Sequence, residues 1–193
     1  GVVMITTKTG KKNKGLGIEY NGGLQWSTIL RLPEFQNEFG MGWNGDHTEL
    51  ENGSWGPRFD GSMQLWGNKY ENSQKLKPYS PIKNNIKDFF DAGFRYNNSV
   101  SFNGATDKSE YYVSFSQISD DGMVPTDADS YDKYTFSARG SHKVKALTFS
   151  SSLNYSYQKN KFATTGQGLT MLNSLYQTPR DVSIISLQDQ NDI

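Results

Sequence analysis

The chain has 193 residues, 34% hydrophobic and 13% aromatic, with 19 glycines and no cysteine. Its 20 basic and 20 acidic residues cancel and form no long block of one sign, giving no nucleic-acid footprint, and the lack of thiols excludes disulfide frameworks and thiolate metal sites. A mean hydropathy of -0.72 fits neither a tight globular core nor a disordered polymer, which would lack the aromatics.

No window approaches the roughly 18 apolar residues of a spanning helix. A β-barrel stays open, because its strands are apolar on one face only. The chain starts at Gly1 without an initiator methionine or signal peptide and ends on Asn191-Asp192-Ile193, so it is read as an internal piece of a longer protein.

From Leu16, even positions read Leu16, Ile18, Tyr20, Gly22, Leu24 and Trp26, while odd ones read Gly17, Glu19, Asn21, Gly23, Gln25 and Ser27. Period two predicts a strand with one apolar face. The pattern recurs over Phe94–Asn103, over Glu110–Gln117 with Tyr112 out of phase, over Tyr131–Gly140, and most cleanly over Leu147–Gln158. Each segment is near the roughly 9 to 11 residues with which a tilted strand crosses a bilayer, whereas soluble strands average about 5 or 6. The polar faces are mainly Ser, Asn, Thr and Gly rather than Lys, Glu and Arg, which suits a hydrated lumen or a packed plug. Trp26, Tyr96, Tyr155 and Tyr157 gather towards segment ends, where a barrel places its aromatic girdle.

Connections give an independent sign. Thr106–Ser109 and Ser141–Lys145 read as tight turns, while Asp120–Ser130 and Thr28–Gly93 are long. Alternation of short and long connections is characteristic of outer-membrane barrels. The Thr28–Gly93 stretch far exceeds the roughly 12 to 15 residues tolerated for a structureless loop, so it is expected to be functional or to carry structure of its own. Leu32–Phe39, Asn84–Phe90 and Gly168–Gln177 read as short helices, the last closed by Pro179.

No catalytic constellation emerges. His47 and His142 lack a spaced nucleophile or ligand partner and read as structural. Asp127, Asp129 and Asp132 lack the glycine and closing glutamate of a calcium loop and read as a turn with solvated carboxylates. Trp43, Trp55 and Trp66 offer flat faces suited to the apolar face of a pyranose; the competing reading, which the length of their loop favours, makes them its small core.

Gly1-Val2-Val3-Met4-Ile5-Thr6-Thr7-Lys8-Thr9-Gly10-Lys11-Lys12 resembles the end of the plug domain in the SusC/RagA family of TonB-dependent outer-membrane transporters. Leu32–Gly40 with Gly42–Gly45, then Asp88–Ser101, then Ser114–Ser116 through Asp121–Pro125, then Gln177–Asp181 resemble that family in the same order, so the likeness covers essentially the whole chain. It implies that residues 1–12 end the plug and that 13–193 are the first strands and loops of a plugged barrel of about 22 strands. The fold expected is therefore all-β: a partial transmembrane antiparallel barrel of about five strands, with long extracellular loops carrying short helices.

The resemblance further implies a SusD-like surface lipoprotein as lid and the TonB complex acting through a plug region missing here. Cargo would be an oligosaccharide, sometimes a peptide, and lipid would surround the strands in the outer membrane of a Gram-negative bacterium of the Bacteroidetes. No enzyme activity and no cofactor are expected. Two other classes compete: a soluble β-rich carbohydrate-binding module, which needs a self-sufficient core and charged outer faces, and an adhesin barrel, which would lack the plug-like start.

Overall fold

The computed structural model describes residues 17–48, 50–166 and 168–185. The plug-like stretch 1–12 lies outside them. Seven strands and one α-helix occur among the described residues: β1 (Gly17–Ser27), β2 (Met63–Tyr70), β3 (Ser73–Pro78), β4 (Gly93–Ala105), β5 (Ser109–Asp120), β6 (Tyr131–Val144), β7 (Leu147–Asn160) and α1 (Met171–Gln177). They fall into two compact units. One joins the residues up to Ser27 with Ala92–Phe162, and the other joins Thr28–Asp91 with the residues from Ala163 on.

The first unit is an antiparallel sheet in the order β1-β4-β5-β6-β7, the five strands that period two predicts. Its register explains the alternation. One row across all strands reads Tyr20, Val100, Phe115, Phe136, Tyr155 and the next reads Ile18, Phe102, Val113, Ala138, Leu153. The opposite face reads Glu19, Ser101, Ser114, Ser137, Asn154 and Asn21, Ser99, Ser116, Thr135, Ser156. A slip of one residue at any interface would mix the two faces, so the side-chain pattern fixes the pairing.

The apolar face is left uncovered. Fourteen large apolar side chains on it, from Ile18 to Tyr157, are more than a third exposed. At about 1 kcal/mol recoverable from each half-exposed side chain, covering this face would release on the order of 15 kcal/mol. That equals the whole net stability of an ordinary domain, about 5–15 kcal/mol. Several polar groups on the face are paired locally: Tyr20 donates its hydroxyl hydrogen to Asn98 Oδ1 at 2.6 Å, and the Gln117 amide donates to the hydroxyls of Tyr96 at 3.4 Å and Tyr134 at 3.5 Å. Near the long connections the aromatics form a row, with Trp26 on Phe94 at 5.2 Å and Tyr134 on Tyr157 at 6.4 Å.

Two details differ from the sequence reading. β6 continues to Val144, paired through His142–Phe149 and Val144–Leu147, so the expected turn Ser141–Lys145 shrinks to Lys145-Ala146, with Lys145 at φ 54°. The polar run Ser141-His142-Lys143 interrupts the alternation without interrupting the ladder, because β7 supplies backbone partners there. Of the three carboxylates read as solvated, Asp127 is exposed, whereas Asp129 organises the loop after β5 by accepting the N–H groups of Met123 and Val124 at 3.0 and 2.9 Å, and Asp132, in β6, accepts the Ser119 hydroxyl at 2.6 Å.

The second unit gives the long stretch its own structure. Its core is Ile86, Leu175 and Ile184, flanked by Leu32, Phe35, Phe89, Phe90, Met171 and Leu172. Leu32–Phe39 is not a helix but irregular chain, pinned by the Gln36 side chain, which satisfies backbone groups that a helix would have paired internally. Asn84–Phe90 makes successive turns rather than a helix. Asn85 is drawn instead to the distant Val182 and Ile184, donating to one carbonyl at 2.6 Å and accepting the other's N–H at 2.9 Å. α1 starts at Met171 rather than Gly168, because the Thr170 hydroxyl caps it. The β2–β3 hairpin was not foreseen: its turn is Glu71-Asn72, both at positive φ, without the Asn-Gly pair that marks such turns in sequence.

Candidate ligand-binding cleft

Within the second unit, glycines let two extended segments approach closely. The Gly42 N–H donates to Gly53 O at 3.1 Å, the Trp55 N–H to Gly42 O at 3.1 Å, and the Gly56 N–H to Gly40 O at 3.0 Å. A Cβ on Gly42 would meet the backbone of Asp46, and one on Gly56 the backbone of Met41; Gly42 also sits at φ +134°, a conformation that L side chains rarely adopt. Between Trp43 and Asp46, which exchange both backbone hydrogen bonds at 3.1 and 2.9 Å, Asn44-Gly45 forms a tight two-residue turn with φ 51° and 84°. The Gly45 N–H reaches across to Trp55 O at 2.9 Å.

This backbone knot turns its aromatic side chains outward. Trp43 is 54% exposed, Trp55 67% and Phe39 38%. With Asn44, Gly45 and Gly56 they line an open cleft of about 440 Å³. The reading that makes the tryptophans a core is therefore corrected for Trp43 and Trp55. The main apolar cluster of this unit is built from aliphatic, methionine and phenylalanine side chains, which have no polar N–H to satisfy. Trp66 has a backbone in β2, and its side chain lies outside the described residues.

Behind the knot, Tyr79 is buried and donates its hydroxyl hydrogen to Pro57 O at 2.8 Å. Its ring packs on Phe59 at 4.7 Å and meets the edge of His47 at 6.0 Å, which gives His47 a packing role. His142 lies in the other unit, where Nδ1 and Ser109 Oγ are 2.7 Å apart. Burial, and then the neighbouring charge of Asp181, push the Tyr79 hydroxyl above its ordinary pKa. Lys77, 3.9 Å from Asp181, is pulled below its ordinary value by burial, which the Asp181 charge opposes.

Two residues from the far end of the chain hold this arrangement. Asp181 Oδ1 accepts the Met41 N–H at 2.8 Å. Arg180 donates through Nε to Gln36 O at 3.0 Å, through Nη2 to Asn37 Oδ1 at 2.8 Å, and through its backbone N–H to Ser54 Oγ at 3.1 Å. Its guanidinium lies 5.3 Å from the Phe35 ring, and burial lowers its pKa. Sequence reasoning missed Phe39, Asn44 and these two as parts of one site. The Asn44-Gly45 pair carried a legible turn signal, whereas Arg180 and Asp181 carried none beyond membership of a resembling stretch.

The arrangement suits a neutral flat ligand. Two indoles and a phenyl offer apolar surface, one amide side chain offers a donor and an acceptor, and among the described residues no charged side chain lines the cleft. No family model and no curated protein matches the chain.

Proposed function

We propose that the chain is a wall segment of an outer-membrane β-barrel importer of the SusC/RagA kind, with the tryptophan cleft as a contact for oligosaccharide cargo. The carrying observation is the uncovered apolar face of a five-stranded antiparallel sheet whose strands run 11 to 14 residues. Strands of that length meet or exceed what a tilted crossing of the hydrocarbon layer requires, about 9 to 11 residues. The opposite face, rich in Ser, Asn and Thr, suits a hydrated lumen or a plug. Both edge strands, β1 and β7, keep a free edge in this sheet, as they would where further strands continue a barrel.

On this reading the importer works with a SusD-like lipoprotein lid and with TonB acting through the plug. Cargo sugars meet Trp43 and Trp55 through the apolar faces of their rings. Among the described residues the cleft lining is aromatic and amide, a surface that favours neutral sugars over peptides, whose termini call for charged partners.

The membrane reading is directly testable in the full protein, freed of any other cysteine and reconstituted in vesicles. Single cysteines carrying an environment-sensitive fluorophore are placed at Leu24, Phe136 and Leu153, and at Ser99, Thr135 and Asn154. A lipid-borne quencher should dim the first set and spare the second. Equal access of a water-soluble quencher to both sets would sink the barrel and leave the soluble carbohydrate-binding module.

A further inference from the structure

Arg180 and Asp181 are not among the residues that line the cleft, yet several of their bonds reach the two segments that carry it, beside others to Lys77, Ile82 and Lys83. Both are buried, at 5% and 1% exposure. Asp181 holds the N–H of Met41, 140 residues earlier in the chain and flanked by the glycines whose bonds join the two cleft segments. Arg180 holds Gln36 and Asn37, and Gln36 in turn donates to Phe39 O at 2.8 Å and Ser54 O at 3.3 Å. Through its own backbone N–H, Arg180 also fixes Ser54, the residue before Trp55. Phe39 and Trp55 thus stand at or beside backbone groups that this dipeptide reaches through Gln36, and Trp43 lies two residues after the Met41 N–H that Asp181 holds. A buried charge without such partners is strongly disfavoured, so seating of residues 179–182 and formation of the cleft favour each other.

We infer that Arg180 and Asp181 are positioning residues for the aromatic cleft, which is a two-segment site whose ligand affinity depends on docking of the Pro179–Val182 stretch. This rests on the reading of the cleft as a sugar contact. Linkage is reciprocal: a ligand that needs the ordered cleft must also stabilise the docked dipeptide. Ligand should therefore slow amide exchange at Val182 and Ile184, which lie outside the cleft lining.

The test uses the full protein in detergent micelles, a neutral gluco-oligosaccharide as probe, and amide hydrogen exchange with and without it. Asp181→Ala and Arg180→Ala should speed exchange at Met41 and Trp55 and weaken probe binding about tenfold, the effect of a lost buried acceptor or donor. Asp181→Asn should restore binding to within about twofold, because its amide oxygen still accepts the Met41 N–H. An Asn variant as defective as the Ala variant would overturn the proposal, since pairing with Lys77 would then be the role of Asp181; this comparison holds even if the Ala variant fails to fold. Unchanged exchange at Met41 and Trp55 in both Ala variants would overturn it equally. If exchange responds as expected but the probe does not bind the wild-type protein, the sugar reading fails while the positioning role stands.

Discussion

Tyr79 and Trp55 show how differently two aromatic residues of one loop behave. Tyr79 is held neutral by burial and by the charge of Asp181. A group whose folded pKa is raised contributes stability that is complete below the unfolded value, here 10.0, and lost as pH rises through the folded one. Lys77 acts in the opposite sense: with its folded pKa below 10.5, it binds fewer protons than in the unfolded chain, so its contribution grows with pH between the two values. Melting of the loop unit, followed by near-ultraviolet circular dichroism from about pH 9 to about pH 11, should show a downturn that Tyr79→Phe softens. Trp55, by contrast, is two-thirds exposed, so Trp55→Ala should leave the melting temperature within about 2 °C. The same change should weaken oligosaccharide binding about tenfold or more, as truncation of an aromatic anchor does. Calorimetric titration that found unaltered affinity would remove the cleft from the cargo path.

At the scale of elements, sheet and loop unit are stabilised by different means. The loop unit has a small conventional core, and Ile184→Ala should cost about 2–4 kcal/mol there, seen as faster exchange around Ile86 and Leu175 with the β4–β6 ladders unaffected. Ile184 faces packed neighbours, and a cavity forms where they cannot collapse. Leu153 lies in the apolar row of β7 and is 58% exposed, so Leu153→Arg would be harmless on a water-facing sheet. In a bilayer it should cost about 2–4 kcal/mol if it sits near the midplane, read as reduced assembly of the full protein into vesicles. A neutral outcome for Leu153→Arg in lipid would contradict the proposed orientation of the face.

At the scale of the molecule, the sheet has among the described residues two free edges and one apolar face without cover, the combination that drives strand-to-strand association in water. The isolated chain should therefore aggregate in detergent-free buffer and disperse in micelles, which sedimentation velocity can follow; a stable monomer without detergent would favour the soluble module. The five strands, their approximate ends and the division into apolar and polar faces were legible in the sequence, because period two is a local property and a one-residue slip would mix the faces. The same holds for α1 and the Asn44-Gly45 turn, which depend on neighbours a few residues away. The failed helices at Leu32–Phe39 and Asn84–Phe90, the unforeseen β2–β3 hairpin and the outward-facing tryptophans have other causes. Remote partners fix part of this, as Asn85 with Val182 and Ile184 or Gln36 with Arg180. The rest comes from side-chain bonds of Gln36 to its own neighbours, from backbone bonds between Gly42–Gly45 and Gly53–Trp55, and from turn residues without the usual signal. Local alternation thus determined which face of each strand is apolar, whereas only the tertiary structure decided where the aromatics of the long loop point. That decision depends on backbone hydrogen bonds and buried charges that meet once two remote segments are folded together.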